Sequence, residues 1–289
     1  MADWSFLFTQ FLGGLTTAMF LFLIASGLSL VFGVMRVLNF AHGSFYMVGA
    51  YLAWQVVQWL APMSGGFWLA VFAAALGAVI ERVFLRHLYG REELYQLLLT
   101  YALVLILGDA AKAVWGTRQL SVSRPPVLSG GFDVLGITVP SYNLFIILIG
   151  PVIAVAVWLA LTRSSAGRMV RAAAQDREML GALGANVGLI YTGMFVVSSF
   201  LAGLSGALVT PMSSIVPGMD VEIIVEAFIV VVIGGLGSFW GTFWGSMIYG
   251  QVLSFGILIF PSFSIFSVFA LMAVILIVRP WGLFGRPLR

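Results

Sequence analysis

Cysteine is absent, which excludes disulfides, thiol chemistry and any metal site built on thiolates. Charge is scarce too: Asp, Glu, Lys and Arg together make up 9% of the 289 residues, against 61% that are hydrophobic. So little charge leaves no room for a separate soluble domain. The sole lysine, Lys112, follows Ala111 in an apolar run. It closes no GxxxxGK[ST] loop, so this chain does not itself hold ATP phosphates, and no nucleotide or metal cofactor is expected in it. The two histidines, His42 and His87, are isolated and read as lying at the cytoplasmic edge, too few and too scattered for zinc. Lys plus Arg exceeds Asp plus Glu by 14 to 11, with no basic run interleaved with stacking aromatics. Nucleic acid is therefore not the partner, and the excess is better explained by arginines on one side of a membrane.

What the chain has in abundance is long apolar runs, several of about the 20 residues that a bilayer-crossing helix needs. The fold class that follows is all-α, a polytopic membrane bundle of about nine spans, with about eight to ten admissible. Span 1 covers about Phe6 to Phe32; with Asp3 and no basic residue before Arg36, it is a poor signal peptide and is expected to be retained. Arg36, Asn39 and His42 form a polar interruption before span 2, Phe45 to Leu60. Pro62, Ser64, Gly65 and Gly66 turn into span 3, Phe67 to Leu85, and a charged loop precedes span 4, which ends near Trp115. A Ser-, Pro- and Gly-rich loop, Gly116 to Pro140, leads to span 5, Tyr142 to Leu161, and span 6 runs from Val187 to Val209. Span 7 is continuously apolar only from Ile223 to Ile233; spans 8 and 9 cover Phe239 to Phe260 and Ile265 to Val278. If all cross, eleven arginines, among them Arg36, Arg163, Arg171 and Arg279, share one side, and only Lys112, Arg118 and Arg124 lie opposite. The arginine-rich side is then cytoplasmic, with the N-terminus outside and the C-terminus inside.

Between spans 5 and 6 lies the one sustained polar stretch of the C-terminal half, Arg163 to Asn186. Arg168, Arg171, Gln175 and Glu178 recur at helical spacing, with Met169, Ala172, Ala173, Met179 and Leu183 on the opposite arc. A short amphipathic helix over about 168–184 is predicted, weakened or ended by Gly181 and Gly184, with Asn186 placed to cap the next helix. Two rows of small residues, Gly237, Gly241 and Gly245, and Ser198, Ala202, Gly206 and Thr210, suit close helix contact or a substrate path. Gly203 to Gly206 reads GLSG, like the nucleophile motif of rhomboid proteases, but no histidine follows Ser205, so helix contact is the better reading. Asp109 and Lys112, three apart, are read as a neutralising pair. Glu222 and Glu226 reach headgroup water or form a proton or cation site of a secondary transporter.

Four blocks carry a family resemblance: GLSLVFGVMRVLNFAHGSFYMVGAY from Gly27, RAAAQDREMLGALGANV from Arg171, EAFIVVVIGGLGSFWG from Glu226 and RPWGLFG from Arg279. In this order they resemble the branched-chain amino-acid ABC transporter permeases of LivH type, and Ser44 departs from the acidic or polar residue common after NFAHG. The resemblance implies one permease domain over 1–289 in the cytoplasmic membrane of a bacterium or archaeon. It further implies an ATPase-coupling helix, with Arg171, Gln175, Asp176, Arg177, Glu178 and Gly184 as candidate docking residues. The implied partners are a second, LivM-like permease, two ATP-binding subunits that carry ATP and Mg, a substrate-binding protein and membrane lipid. Asn39, His42 and Gly43, with Gly234, Gly235, Gly237 and Ser238, are expected to line or gate the path, because irregular backbone at membrane depth must be covered by protein or water.

Overall fold

In the computed structural model, which describes residues 4–60, 93–134, 136–259 and 261–285, the apolar runs form helices. They are α1 (Trp4–Met35), α2 (Ala41–Leu60), α3 (Glu93–Trp115), α4 (Ser141–Arg163), α5 (Ser165–Gln175), α6 (Arg177–Ala182), α7 (Val187–Val209), α8 (Met219–Gly234), α9 (Phe239–Ile259) and α10 (Ser264–Val278). Six of them are long and apolar enough to cross a membrane by length and composition: α1, α3, α4, α7, α9 and the stretch Pro261–Val278 that contains α10. The expected third span, Phe67 to Leu85, its turn, the charged loop with His87, and Arg286 and Arg289 lie outside the described residues.

Helix α1 is the axis of the bundle. Its 32 residues make a rod of about 48 Å, longer than the roughly 30 Å hydrocarbon core. It packs on α9, α7, α4 and α8, and Leu21, Phe22, Leu23, Ile24 and Ala25 are each sealed from solvent. The contacts run in register along it. Gly250 touches Gly14, Ser205 donates to the Phe20 carbonyl, Phe22 sits edge-on to Phe239 and Phe243, and Gly33 meets Gly237 backbone to backbone. Both α7 and α9 thus lie antiparallel to α1. Small residues make the approach possible where lipid offers no hydrophobic drive to sort helices.

On the face that carries Arg118 and Arg124, Leu120 and Ile215 exchange backbone hydrogen bonds of 3.0 and 2.9 Å, stitching the 116–125 stretch to the turn before α8. The loop expected over Gly116 to Pro140 contains an antiparallel hairpin, β1 (Gly131–Val134) and β2 (Ile137–Pro140). Gly136, just before β2, holds φ of 79°. Alternation of Phe132 and Val134 with Asp133, then Ile137 and Val139 with Thr138, is a strand signal that the Ser and Pro content of the loop masked.

Candidate functional site

The segment after α4 is built by caps. Ser164 Oγ accepts from Gly167 N at 2.9 Å and starts α5; Asn186 Oδ1 accepts from Leu189 N at 3.0 Å and starts α7, as its sequence position predicts. The single helix expected over 168–184 is not what forms. The backbone extends at Asp176 (φ −152°, ψ 99°), and its Oδ1 accepts from Glu178 N and Met179 N at 3.0 and 2.9 Å, opening a second helix. A short carboxylate that can bond the amides two and three residues on competes with helix continuation, which periodicity alone does not reveal. Helix α6 then closes on Gly184 (φ 86°), with Gly184 N to Gly181 O and Ala185 N to Leu180 O, the bond pattern of a glycine-terminated helix.

Of the six candidate docking residues, Arg171 and Asp176 are bonded to backbone of their own region: Arg171 Nη1 donates to the Leu161 carbonyl at the end of α4, and Asp176 caps α6. Gln175, Arg177 and Glu178 are exposed, and Gly184 shapes the exit. The apolar arc is not buried against the bundle as an amphipathic helix would have it. Met179 and Leu183 are 59% and 77% exposed, and only Gly167 and Ala173 of α5 are buried. A polar cleft of about 440 Å³ lies behind the break, between Ala173–Glu178, the end of α1 at Val34, Met35 and Arg36, and Gln96 and Tyr191.

Arg36 is the non-glycine residue with positive φ, 53°, among the described residues. The chain reverses there and re-enters the bundle. Helix α2 opens at Ala41 rather than near Phe45, and His42 is not at the edge: it is 1% exposed, with Nε2 2.8 Å from the Ile24 carbonyl. Ile24 lies eleven residues before Met35, so α2 begins about 16 Å in from the end of α1. His42 Nδ1 is 3.3 Å from Ser198 Oγ, which donates to the Gly27 carbonyl at 2.9 Å. These bonds tie α1, α2 and α7 at one depth. Ser198→Ala is expected to lower stability by about 1 kcal/mol, read as a lower melting temperature of the purified protein.

The two sets of expected path residues stand at different places along α8. Gly43 lies against the Asp220 carbonyl and Ile224 in the first turns of α8; Gly234, Gly235, Gly237 and Ser238 form the turn from α8 to α9. There Ser238 Oγ accepts from Gly241 N at 3.1 Å, and Gly235 and Gly237 hold φ of 105° and 78°. Gly237 is thus in the turn, not on the α9 face with Gly241 and Gly245. The tail joins the same turn: Leu283 N and Phe284 N donate to the carbonyls of Ile233 and Gly234 at 2.9 and 3.0 Å. Sequence reading missed Asp220, which is 3% exposed and accepts from Ser44 Oγ at 2.9 Å. An acid at position 44 would face that carboxylate. Glu222 is exposed, whereas Glu226 turns inward and is hydrogen-bonded to Tyr249. Asp109 and Lys112 pair at 3.0 Å, and Ser205 is buried in helix contact.

Residues 10–278 match the family model described as branched-chain amino acid transport system / permease component. The chain is 30% identical over 295 residues to the high-affinity branched-chain amino acid transport system permease protein BraD of Pseudomonas aeruginosa, covering 96% of this chain and 95% of that one. It is 29% identical over 299 residues to the corresponding permease protein LivH of Escherichia coli K12, with the same coverage, 96% and 95%. Among solved structures, PsaBC from Streptococcus pneumoniae in complex with Fab aligns over 92% of this chain and 89% of that chain, at 14% identity and a TM-score of 0.43.

Proposed function

Because the chain belongs to the branched-chain amino acid transport permease family, we propose that it is the membrane subunit of an ATP-driven importer for branched-chain or other small amino acids. The observation that carries this reading is the alignment of nearly the whole chain with permease proteins of high-affinity branched-chain amino acid transport systems. The whole of 1–289 acts as one permease domain beside a second, LivM-like permease. Two ATP-binding subunits hold ATP and Mg and do the hydrolysis; this chain is not the enzyme. A binding protein delivers solute to the face of the hairpin and the Pro211 to Glu222 turn. The arginine-bearing face is cytoplasmic.

Coupling requires a short, stiff, outward-polar piece tied to two membrane helices. The α5–α6 segment meets that requirement: it continues from α4 through the Ser164 turn and runs into α7 through Gly184 and Asn186. Gln175, Arg177 and Glu178 give it exposed polar groups, and Met179 and Leu183 give it apolar area to bury on a partner. Closure of the ATP-binding pair would move α4 and α7 through it, and the path along Asn39, His42, Gly43 and the Gly234–Ser238 turn would switch sides.

Uptake by proteoliposomes holding the full set of subunits is expected to persist when the proton gradient is collapsed and internal ATP maintained, and to stop without ATP. Glu226→Gln, which keeps an oxygen to accept from Tyr249, is expected to retain uptake within about twofold. Uptake that follows the gradient and fails in Glu226→Gln would replace the importer with a proton-coupled carrier.

A further inference from the structure

We infer that the N-terminus of α2, together with the Asn39 amide, receives the carboxylate group of the transported solute. The inference rests on the importer reading above and names the group that the path recognises.

Three observations meet at this point. First, the helix starts inside the bundle, at the depth of Ile24, where its first N–H groups have no water to bond. The first turn draws only long backbone bonds, His42 N to Asn39 O at 3.3 Å and Gly43 N to Phe40 O at 3.4 Å. A helix N-terminus carries about half a positive charge, and in a low-dielectric interior that partial charge favours an anion; the Asp220 carboxylate, held by Ser44 Oγ at 2.9 Å, already draws on it from the α8 side. Second, Asn39 lies one residue before Phe40, the N-cap position of α2, and its side chain caps nothing. Both Nδ2 and Oδ1 are buried without a hydrogen-bond partner, and the residue is 1% exposed. A buried amide with neither atom satisfied costs on the order of 1–3 kcal/mol, and a carboxylate accepting from Nδ2 and the first-turn N–H groups would offset that cost. Third, a polar cleft lies a short way back along the chain, on the arginine-bearing side. Arg36 lines the polar cleft of about 440 Å³, and Asn39 is three residues further on, about 10 Å of extended chain.

His42 is not the ligand. Each of its ring nitrogens already has a neighbour to bond, Ile24 O and Ser198 Oγ, so it fixes where the helix begins. The exposure pattern agrees with an extended re-entrant segment: Val37 and Asn39 are buried at 4% and 1%, Leu38 is 37% exposed. A solute carboxylate leaving the helix N-terminus would next meet the Arg36 guanidinium in the cleft. The segment that holds the anion and the residue that draws it onward are then joined by one reversal of the chain.

The test uses the complete importer in proteoliposomes, with leucine as the solute and saturating leucine-loaded binding protein, and scores leucine transported per ATP hydrolysed. Asn39→Leu removes both amide atoms at nearly constant volume and is expected to cut that ratio about tenfold, while assembly and stimulated hydrolysis persist. Asn39→Ser, which keeps a donor, is expected to stay within about threefold. Asn39→Asp places a negative charge beside the anion site and is expected to be worse than Asn39→Leu by a further factor of about ten. Full transport by Asn39→Leu would overturn the inference. An Asn39→Asp variant as active as wild type or better would also overturn it, since an ammonium group or an ordered water would then be the occupant. If Asn39→Asp does not assemble, the Leu and Ser pair decides alone. Wild type that shows no ATP-dependent uptake would instead remove the importer reading.

Discussion

Alanine at Gly206 is expected to prevent recovery of a monodisperse folded protein. A Cβ added there would collide with the Tyr46 carbonyl oxygen, and would lie 2.8 Å from its carbon and 3.1 Å from the Ala50 nitrogen. All three are backbone atoms of α2, so no side-chain rotation relieves the clash; the two helices must separate. The neighbouring contact repeats the constraint from the other side, because a Cβ at Gly49 would meet the backbone of Gly203. Overpacking of this kind costs about 1–3 kcal/mol where the structure can yield, and more where backbone meets backbone. Here separation would also break the bonds that set α2 at its depth, His42 to Ile24 and Ser44 to Asp220. The control is Gly193→Ala on the same helix: nothing lies within 4 Å of the added carbon, and the helix gains up to about 1 kcal/mol of propensity. Size-exclusion profiles and melting temperatures of the two variants should therefore move in opposite directions. Equal behaviour would mean that α2 and α7 can part at Gly206 without cost.

The same row of residues shows how far the sequence could be read. Ser198, Ala202, Gly206 and Thr210 announce a close contact by spacing and size alone, and Ser198 and Gly206 make one. Helix α7 begins and ends at the residues expected, because a 23-residue apolar run bounded by Asn186 and a proline-containing turn admits few alternatives. The depth of His42 was not legible. A polar residue between two apolar runs reads as a membrane edge unless its partners are known, and those partners, Ile24 and Ser198, are distant in sequence. Asp220 escaped for the same reason: its neighbour Ser44 is 176 residues away. The break at Asp176 was hidden by a helical period that continues through it, since Arg171, Gln175 and Glu178 keep their spacing on either side of the cap. That same period puts Met179 and Leu183 on one arc with Met169 and Ala173; once the helix breaks, the arc no longer faces one surface.

Reversing the charges of Asp176 and Arg177 together is expected to reduce uptake to background and to release the ATP-binding subunit from the membrane, with the bundle intact. The bundle survives because α6 is six residues long, none of them buried. Loss of the Asp176 cap costs about 1 kcal/mol, confined to that turn. The partner, by contrast, loses the geometry that presents Arg177, Glu178 and Met179, and it meets a charge pattern of opposite sign. Two single substitutions separate these effects. Asp176→Asn keeps an oxygen that can cap Glu178 N and Met179 N while removing the charge, so retained uptake would assign the aspartate to shaping the segment. Leu183→Asp leaves the cap untouched but puts a charge into the 77% exposed apolar patch; loss of the ATPase from membranes in that variant would assign docking to apolar burial. If the double reversal leaves both the ATPase bound and uptake unchanged, force enters the bundle elsewhere, and the turn where α8, α9 and the Leu283–Phe284 tail share backbone hydrogen bonds becomes the next place to test.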